Sequence, residues 1–354
     1  MARKVWFYGL GMLLLGGMGI LTGCPKKQLP SAPTGAEETT APPTEPGQKI
    51  RLRIVTNGLS PFWDPMAVGM ERAAKKYGVE AEWAGPPDSQ VATQRRIIEN
   101  FAAQEIDGMA ISVIEAAPTT PVINELLESG IVVITFDSDA PESNRYAYIG
   151  TNNYEAGKVA GEEAVKLLPH GGKVVAFVGN QTAPNGRERI EGFKEVTAPQ
   201  GIELVDVRDD YKDANRARAN VEQVIQAMPD LDLLLGVFSY NGPAIAQAVK
   251  EAGMRDRIKI VCFDAEPRTL DHLEAGEIDA TIVQKPFEFG YRSVELLYHI
   301  ITLGDPEKAR QWFDQNTPYT VGENNTIDTG VRVITPENVA EFRRELDELG
   351  VKSS

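Results

Sequence analysis

Ile260-Val261-Cys262-Phe263-Asp264 is a short apolar, β-branched run that stops on a carboxylate, with Pro267 and a helical pattern just beyond it. The same layout recurs in Ile54-Val55-Thr56-Asn57, Val133-Ile134-Thr135-Phe136-Asp137, Thr281-Ile282-Val283-Gln284 and the run from Leu233 to Asn241. Each reads as a buried strand that ends in a hydrogen-bonding side chain. In open parallel α/β sheets, ligands bind in the crevice outside the carboxyl ends of the strands. Polar groups placed repeatedly at that edge, from both halves of the chain, predict a binding cleft between two lobes.

Outward from these runs, the chain alternates β-branched segments with helical patterns from Arg51 onward, the signature of βαβ units. Asp64-Pro65 opens a helix whose inward face is Met66, Met70, Ala73, Ala74 and Tyr77, and Gly78 closes it. The fold class is α/β: two doubly wound parallel-sheet lobes joined by a hinge of three crossings. The polar Thr151-Asn152-Asn153 is the first crossing, the helix from Phe287 to Leu303 returns, and the tail near Val331 to Ile334 crosses again. Lobe 1 then comprises residues 50–150 plus about 286–320, and lobe 2 comprises 151–285 plus about 321–350.

The 354 residues suit two domains, and 42% hydrophobic with 25% charged residues is ordinary for packed cores. Net charge is −15, and from Ile50 onward 31 Lys and Arg stand against 48 Asp and Glu. That field repels nucleic acid and anionic lipid, so neither is an expected partner. Residues 1–23 read as a signal peptide: Arg3 and Lys4, then an apolar stretch, then Leu21-Thr22-Gly23-Cys24. That tetrapeptide matches the bacterial lipobox, with Cys24 as the lipidated mature N-terminus. Residues 25–49, rich in Pro, Thr and Glu, form a flexible tether. The expected location is the periplasm or cell surface of a bacterium, with membrane contact only through the lipid. Cys262, inside an apolar run, is expected to pack in the core.

Five motifs occur in one order: Thr56 to Trp63, Ile134 to Ser138, Gly186-Arg187-Glu188-Arg189-Ile190-Glu191-Gly192-Phe193, Phe263-Asp264 and Ala280 to Gln284. Together they resemble the periplasmic sugar-binding proteins of ABC importers, the ribose/galactose (type I) cluster, over roughly residues 50–303. The resemblance implies a monomer that closes on a monosaccharide and serves an ABC permease. Phe62 and Trp63 would lie against a sugar face, with Tyr211 opposite, because aromatic walls suit apolar ring C–H groups. Asp137, Arg187, Asn241, Asp264 and Gln284 match the polar contacts. Physically, a carboxylate accepts from hydroxyls, Arg donates a fork, and Asn or Gln does one of each. By the same resemblance Thr56 and Ser60, which replace other small polar residues of the family at the mouth, and Ser138 would also contact the ligand. Ser138 stands where ribose-type members carry Arg, and Asp139 is the nearby group that could compensate. The alternative to import is the same module acting as a ligand sensor for a membrane kinase or chemoreceptor. LacI-type repressors share the implied fold, but Arg51 follows a secretory segment instead of a DNA-binding headpiece.

Catalysis is not expected. His170, His272 and His299 fall in different elements without metal-ligand spacing, and nucleophile-elbow, dinucleotide and phosphate-loop motifs are absent. No cofactor or metal is expected.

Overall fold

The computed structural model describes residues 49–352. The signal segment, Cys24 and the tether up to Gln48 lie outside the described residues.

Lobe 1 begins with strands β1 (Arg51–Val55), β2 (Glu80–Ala84), β3 (Gly108–Ile111), β4 (Val132–Phe136) and β5 (Tyr148–Gly150). Helices α1 (Asp64–Tyr77), α2 (Val91–Ala102) and α3 (Ala116–Glu128) connect them. Lobe 2 carries β6 (Gly172–Val178), β7 (Ile202–Asp209), β8 (Leu233–Gly236), β9 (Lys259–Phe263) and β10 (Ala280–Val283). Its helices are α4 (Asn153–Leu167), α5 (Pro184–Thr197), α6 (Ala214–Ala227), α7 (Asn241–Glu251) and α8 (Pro267–Glu274). The chain then returns to lobe 1 through α9 (Pro286–Leu303), α10 (Pro306–Asn316) and β11 (Thr326–Asp328), and ends in lobe 2 with β12 (Arg332–Ile334) and α11 (Val339–Leu349).

The two sheets run β11-β5-β4-β3-β1-β2 and β12-β10-β9-β8-β6-β7, six strands each. The neighbours pair in parallel except β10 with β12. Apolar clusters cover both faces of each sheet, which is why the central strands read as continuous apolar runs and not as alternating ones. Cys262 is buried in one of these cores.

The third crossing falls at residues 329–331, next to the Val331 to Ile334 tail, whereas the lobe boundary expected near residue 321 lies too early. Val321 bridges Ile327 and β11 pairs with β5, so residues 321–328 stay with lobe 1. Crossings one and three are tied together. Thr329 donates through N and Oγ1 to the Gly150 carbonyl at 2.8 and 3.0 Å, and the Asn152 amide donates to Asp328 at 3.0 Å.

In each lobe, the helix that follows a crossing lies unusually close to the helix after the first strand. A Cβ on Gly69 of α1 would sit 2.1 Å from the Phe287 carbonyl, and one on Gly290 of α9 would sit 2.0 Å from that of Met66. Lobe 2 repeats the arrangement: Gly157 of α4 abuts the Arg189 carbonyl and Gly192 of α5 that of Tyr154, at 2.1 and 2.0 Å. Only glycine permits such approach.

Candidate functional site

The strand ends β4 and β9 carry the two key carboxylates, and both sit in the same backbone conformation. Asp137 has φ 59° and Asp264 has φ 65°, left-handed values that Asp tolerates better than most residues. The neighbouring strand fixes each of them. The Asp137 amide donates to Ile149 O and the Asp264 amide to Ile282 O. Tyr148 Oη donates to the Asp137 carbonyl and Thr281 Oγ1 to that of Asp264, at 2.8 and 2.6 Å.

Both side chains are buried and hydrogen-bonded. Asp137 Oδ2 accepts from Ser112 Oγ at 2.7 Å and Asn57 Nδ2 at 3.1 Å, and Asp264 Oδ1 accepts from Gln284 Nε2 at 2.8 Å. Burial raises the Asp137 carboxyl above the usual carboxylate range, against the Ser112 hydrogen bond and the charges of Arg189 and Lys212. Burial also raises that of Asp264 to about 7, against Arg189 and Gln284, with Asp137 and Glu266 adding to the rise. Carboxylates from the two sheets therefore feel one another, and they share Arg189.

Arg189 of α5 is itself buried. Its Nε donates to Asn153 Oδ1 at 3.0 Å, Nη1 to the Val237 carbonyl at 2.9 Å, and its guanidinium lies 4.5 Å from the centre of the Phe263 ring. Nη2 is buried without a hydrogen-bond partner among the described residues. A desolvated donor left unpaired is costly.

Of the two arginines in this motif, the buried one is Arg189 and not Arg187, which the sequence reading favoured. Arg187 points to solvent with its side chain 55% exposed and pairs with Glu191 at 3.8 Å. Two residues along a helix is more than half a turn, so one of the pair must face away. Asn241 is buried but serves the loops: its Nδ2 donates to Asp210 Oδ2 at 2.8 Å and its Oδ1 accepts from the Phe238 amide. Tyr211 is 63% exposed, beneath the Arg216 guanidinium, and does not join the group. Thr56 turns its hydroxyl into its own loop, donating to the Gly58 carbonyl at 2.7 Å. Ser60 is exposed and makes no side-chain cap bond.

The Phe62 and Trp63 rings do not stand free on a loop: they are 7% and 3% exposed and pack edge-on in the lobe 1 core. Trp63 also meets Phe136, the residue before Asp137, at 5.8 Å. Ser138 is buried, and its backbone closes the turn after β4, its amide donating to Phe136 O. Asp139 cannot compensate for an absent Arg, because Arg145 and Thr135 already occupy it.

Sequence reasoning missed Arg189, Ser112 and Asp210. Asp210 is buried and accepts from Tyr240 Oη at 2.5 Å as well as from Asn241. A surface depression of about 390 Å³ among Lys76, Tyr291, Arg292 and Trp312 lies apart from these strand ends, on α1, α9 and α10. Its buried carboxylate, Glu295, is already satisfied by Tyr77, Lys76 and Arg292. Among the described residues no group of His, Cys, Asp and Glu is arranged to hold a metal, and no helix is long and apolar enough to cross a membrane.

A family profile described as the periplasmic binding protein domain matches residues 54–306. The xylose/arabinose-binding protein of Sulfolobus acidocaldarius is 23% identical over 339 residues, covering 88% of this chain and 80% of the relative. An ABC transporter solute-binding protein from Burkholderia graminis, solved in complex with D-arabinose, is 34% identical with a TM-score of 0.75, covering 83% of this chain and 98% of that one. The XylFII-LytSN complex gives 30% identity and a TM-score of 0.72 over 82% of this chain and 99% of the other. With two lobes of this topology, and a profile match over most of its length, the chain belongs to the periplasmic binding protein family, among relatives named for the sugars they bind.

Proposed function

We propose that this chain captures a small neutral sugar between its lobes and delivers it to an ABC permease. The observation that carries this reading is the buried, unpartnered Nη2 of Arg189 in the shared field of Asp137 and Asp264. A polyol meets that demand, because one hydroxyl accepts from the guanidinium while others donate to the carboxylates. Phe62 and Trp63, through Phe136, provide the apolar side near Asp137. The relatives named for xylose, arabinose and ribose direct attention to pentoses.

A thermal-shift screen over D-arabinose, D-xylose, D-ribose, D-galactose and D-glucose tests it. A sugar at 100 times its dissociation constant should add about 2.7 kcal/mol of stability. If none of them, nor any other neutral monosaccharide, raises the unfolding midpoint, the reading fails.

Lipid anchoring through Cys24 belongs to the same proposal. Cys24→Ser should release the protein from membranes and abolish incorporation of labelled fatty acid, with sugar affinity unchanged. A wild-type chain that takes up no label would remove the anchor from the account. A second reading, ligand sensing through a membrane partner, draws support from the neighbour solved as a complex with LytSN.

A further inference from the structure

We propose that Lys212 is a latch that holds the closed cleft by joining lobe 2 to the Asn57–Asp137 pair of lobe 1. The proposal rests on the reading of the interlobe cleft as the ligand site. Lys212 Nζ donates to the Asn57 carbonyl at 3.4 Å, and Asn57 Nδ2 donates in turn to Asp137 Oδ2 at 3.1 Å. The contact therefore crosses from the loop after β7 to the loop after β1 and ends on a cleft carboxylate.

The lysine is aimed by its backbone. Tyr211 and Lys212 both have positive φ, 55° and 61°, and two successive non-glycine residues in that region are a strained arrangement. Asp210 holds the turn: its Oδ1 accepts from the Lys212 amide at 2.9 Å, and Tyr240 and Asn241 fix the same carboxylate from beyond β8. Asp213 then caps α6 by accepting from the Asn215 and Arg216 amides. Strain of this kind persists only where the surroundings over-determine it, and it concentrates at clamps and switches. Lys212 is an exposed residue, and lost hydration lowers its pKa, with Asp137 and Asp210 opposing the shift.

When the lobes part, the Asn57 contact is lost and the ammonium regains water. A group that bonds only in the closed state acts on release more than on capture. Lys212→Met keeps the stem and removes the ammonium. At 3.4 Å the bond is long, so release of the best sugar from the screen, followed by tryptophan fluorescence in stopped flow, should quicken by about tenfold with association little changed. Lys212→Arg, which keeps a cation on a long stem, should restore slow release, and the unfolding midpoint without sugar should not move. Small-angle scattering of the sugar-free protein provides an arm independent of any ligand, because Lys212→Met should have a larger radius of gyration than wild type. A slower association with unchanged release would make Lys212 a steering charge and overturn the latch. Unchanged release and unchanged scattering together would also overturn it. If no sugar binds the wild type, the ligand reading fails by the screen, and scattering alone decides the latch.

Discussion

Asp264→Asn is expected to weaken sugar binding by about 30- to 150-fold, the equivalent of roughly 2–3 kcal/mol for hydrogen bonds to a charged acceptor. The substitution keeps the volume but replaces one acceptor by a donor, in a position already served by Gln284 Nε2. The same residue should make stability and binding depend on pH in opposite senses. Its carboxyl rises from 3.8 to about 7 in the folded protein, so between those values the ligand-free fold holds a proton that the unfolded chain has lost. Its contribution to stability is full below 3.8 and disappears as pH climbs through 7. Sugar hydroxyls that donate to the carboxylate favour the ionised form, so affinity should rise over the same interval, with proton release on binding. Calorimetry in buffers of different ionisation enthalpy reads that release, and Asp264→Asn should abolish it. If the variant binds within about threefold of wild type while circular dichroism shows it folded, Asp264 is a helix-entry residue and not a ligand contact.

Arg189→Met should cost more, at least about 100-fold in affinity, since breaking a buried charge cluster by removing one member typically costs roughly 3–5 kcal/mol. Without the guanidinium, Asp137 and Asp264 lose the cation that lowers both of their pKa values, and the sugar loses the donor at Nη2. The Val237 carbonyl and Asn153 also lose a partner, so some loss of stability will accompany the loss of binding. Arg189→Lys separates the two effects: it retains the charge but not the planar fork, and should bind with intermediate affinity. Arg187→Met serves as the control. Its side chain is 55% exposed and pairs with Glu191, so calorimetry should find wild-type affinity. A large loss at Arg187 with none at Arg189 would reverse the assignment.

That pair also marks where the sequence was sufficient and where it was misread. The placement of Asp137, Asp264 and Gln284 at strand ends was legible because each follows a β-branched, largely apolar run, and the edge of a parallel sheet follows directly from such runs. Arg189 was equally legible by helical period: Gly186, Arg189, Ile190 and Phe193 follow the i, i+3, i+4, i+7 pattern of a buried face, and all four are buried. Choosing Arg187 set a motif position above that periodicity. The edge strand β2 escaped notice because Glu80-Ala81-Glu82-Trp83-Ala84 has no apolar run and is nowhere fully buried. That residues 321–328 stay with lobe 1 was hidden for a similar reason, since a three-residue strand such as β11 is too short to carry a period. Neither the left-handed backbone of Asp137 and Asp264 nor that of Tyr211 and Lys212 has a sequence signature. Each depends on partners more than ten residues away or on a carboxylate just upstream, and for Tyr211 the result is a ring turned outward.

The reciprocal glycine contacts have a mechanical consequence. Gly69 with Gly290, and Gly157 with Gly192, lock each returning helix to the first helix of the lobe it enters, backbone against backbone. No side chain lies between them to act as a soft cushion, so each helix pair must transmit force as a single stiff beam. The connectors between the lobes are short by comparison: one contains Gly330 at φ 70°, and the Thr329–Gly150 bond couples two of them. In lobe 2 one of these contacts includes the Arg189 carbonyl itself, so the backbone that carries the guanidinium is seated directly on α4.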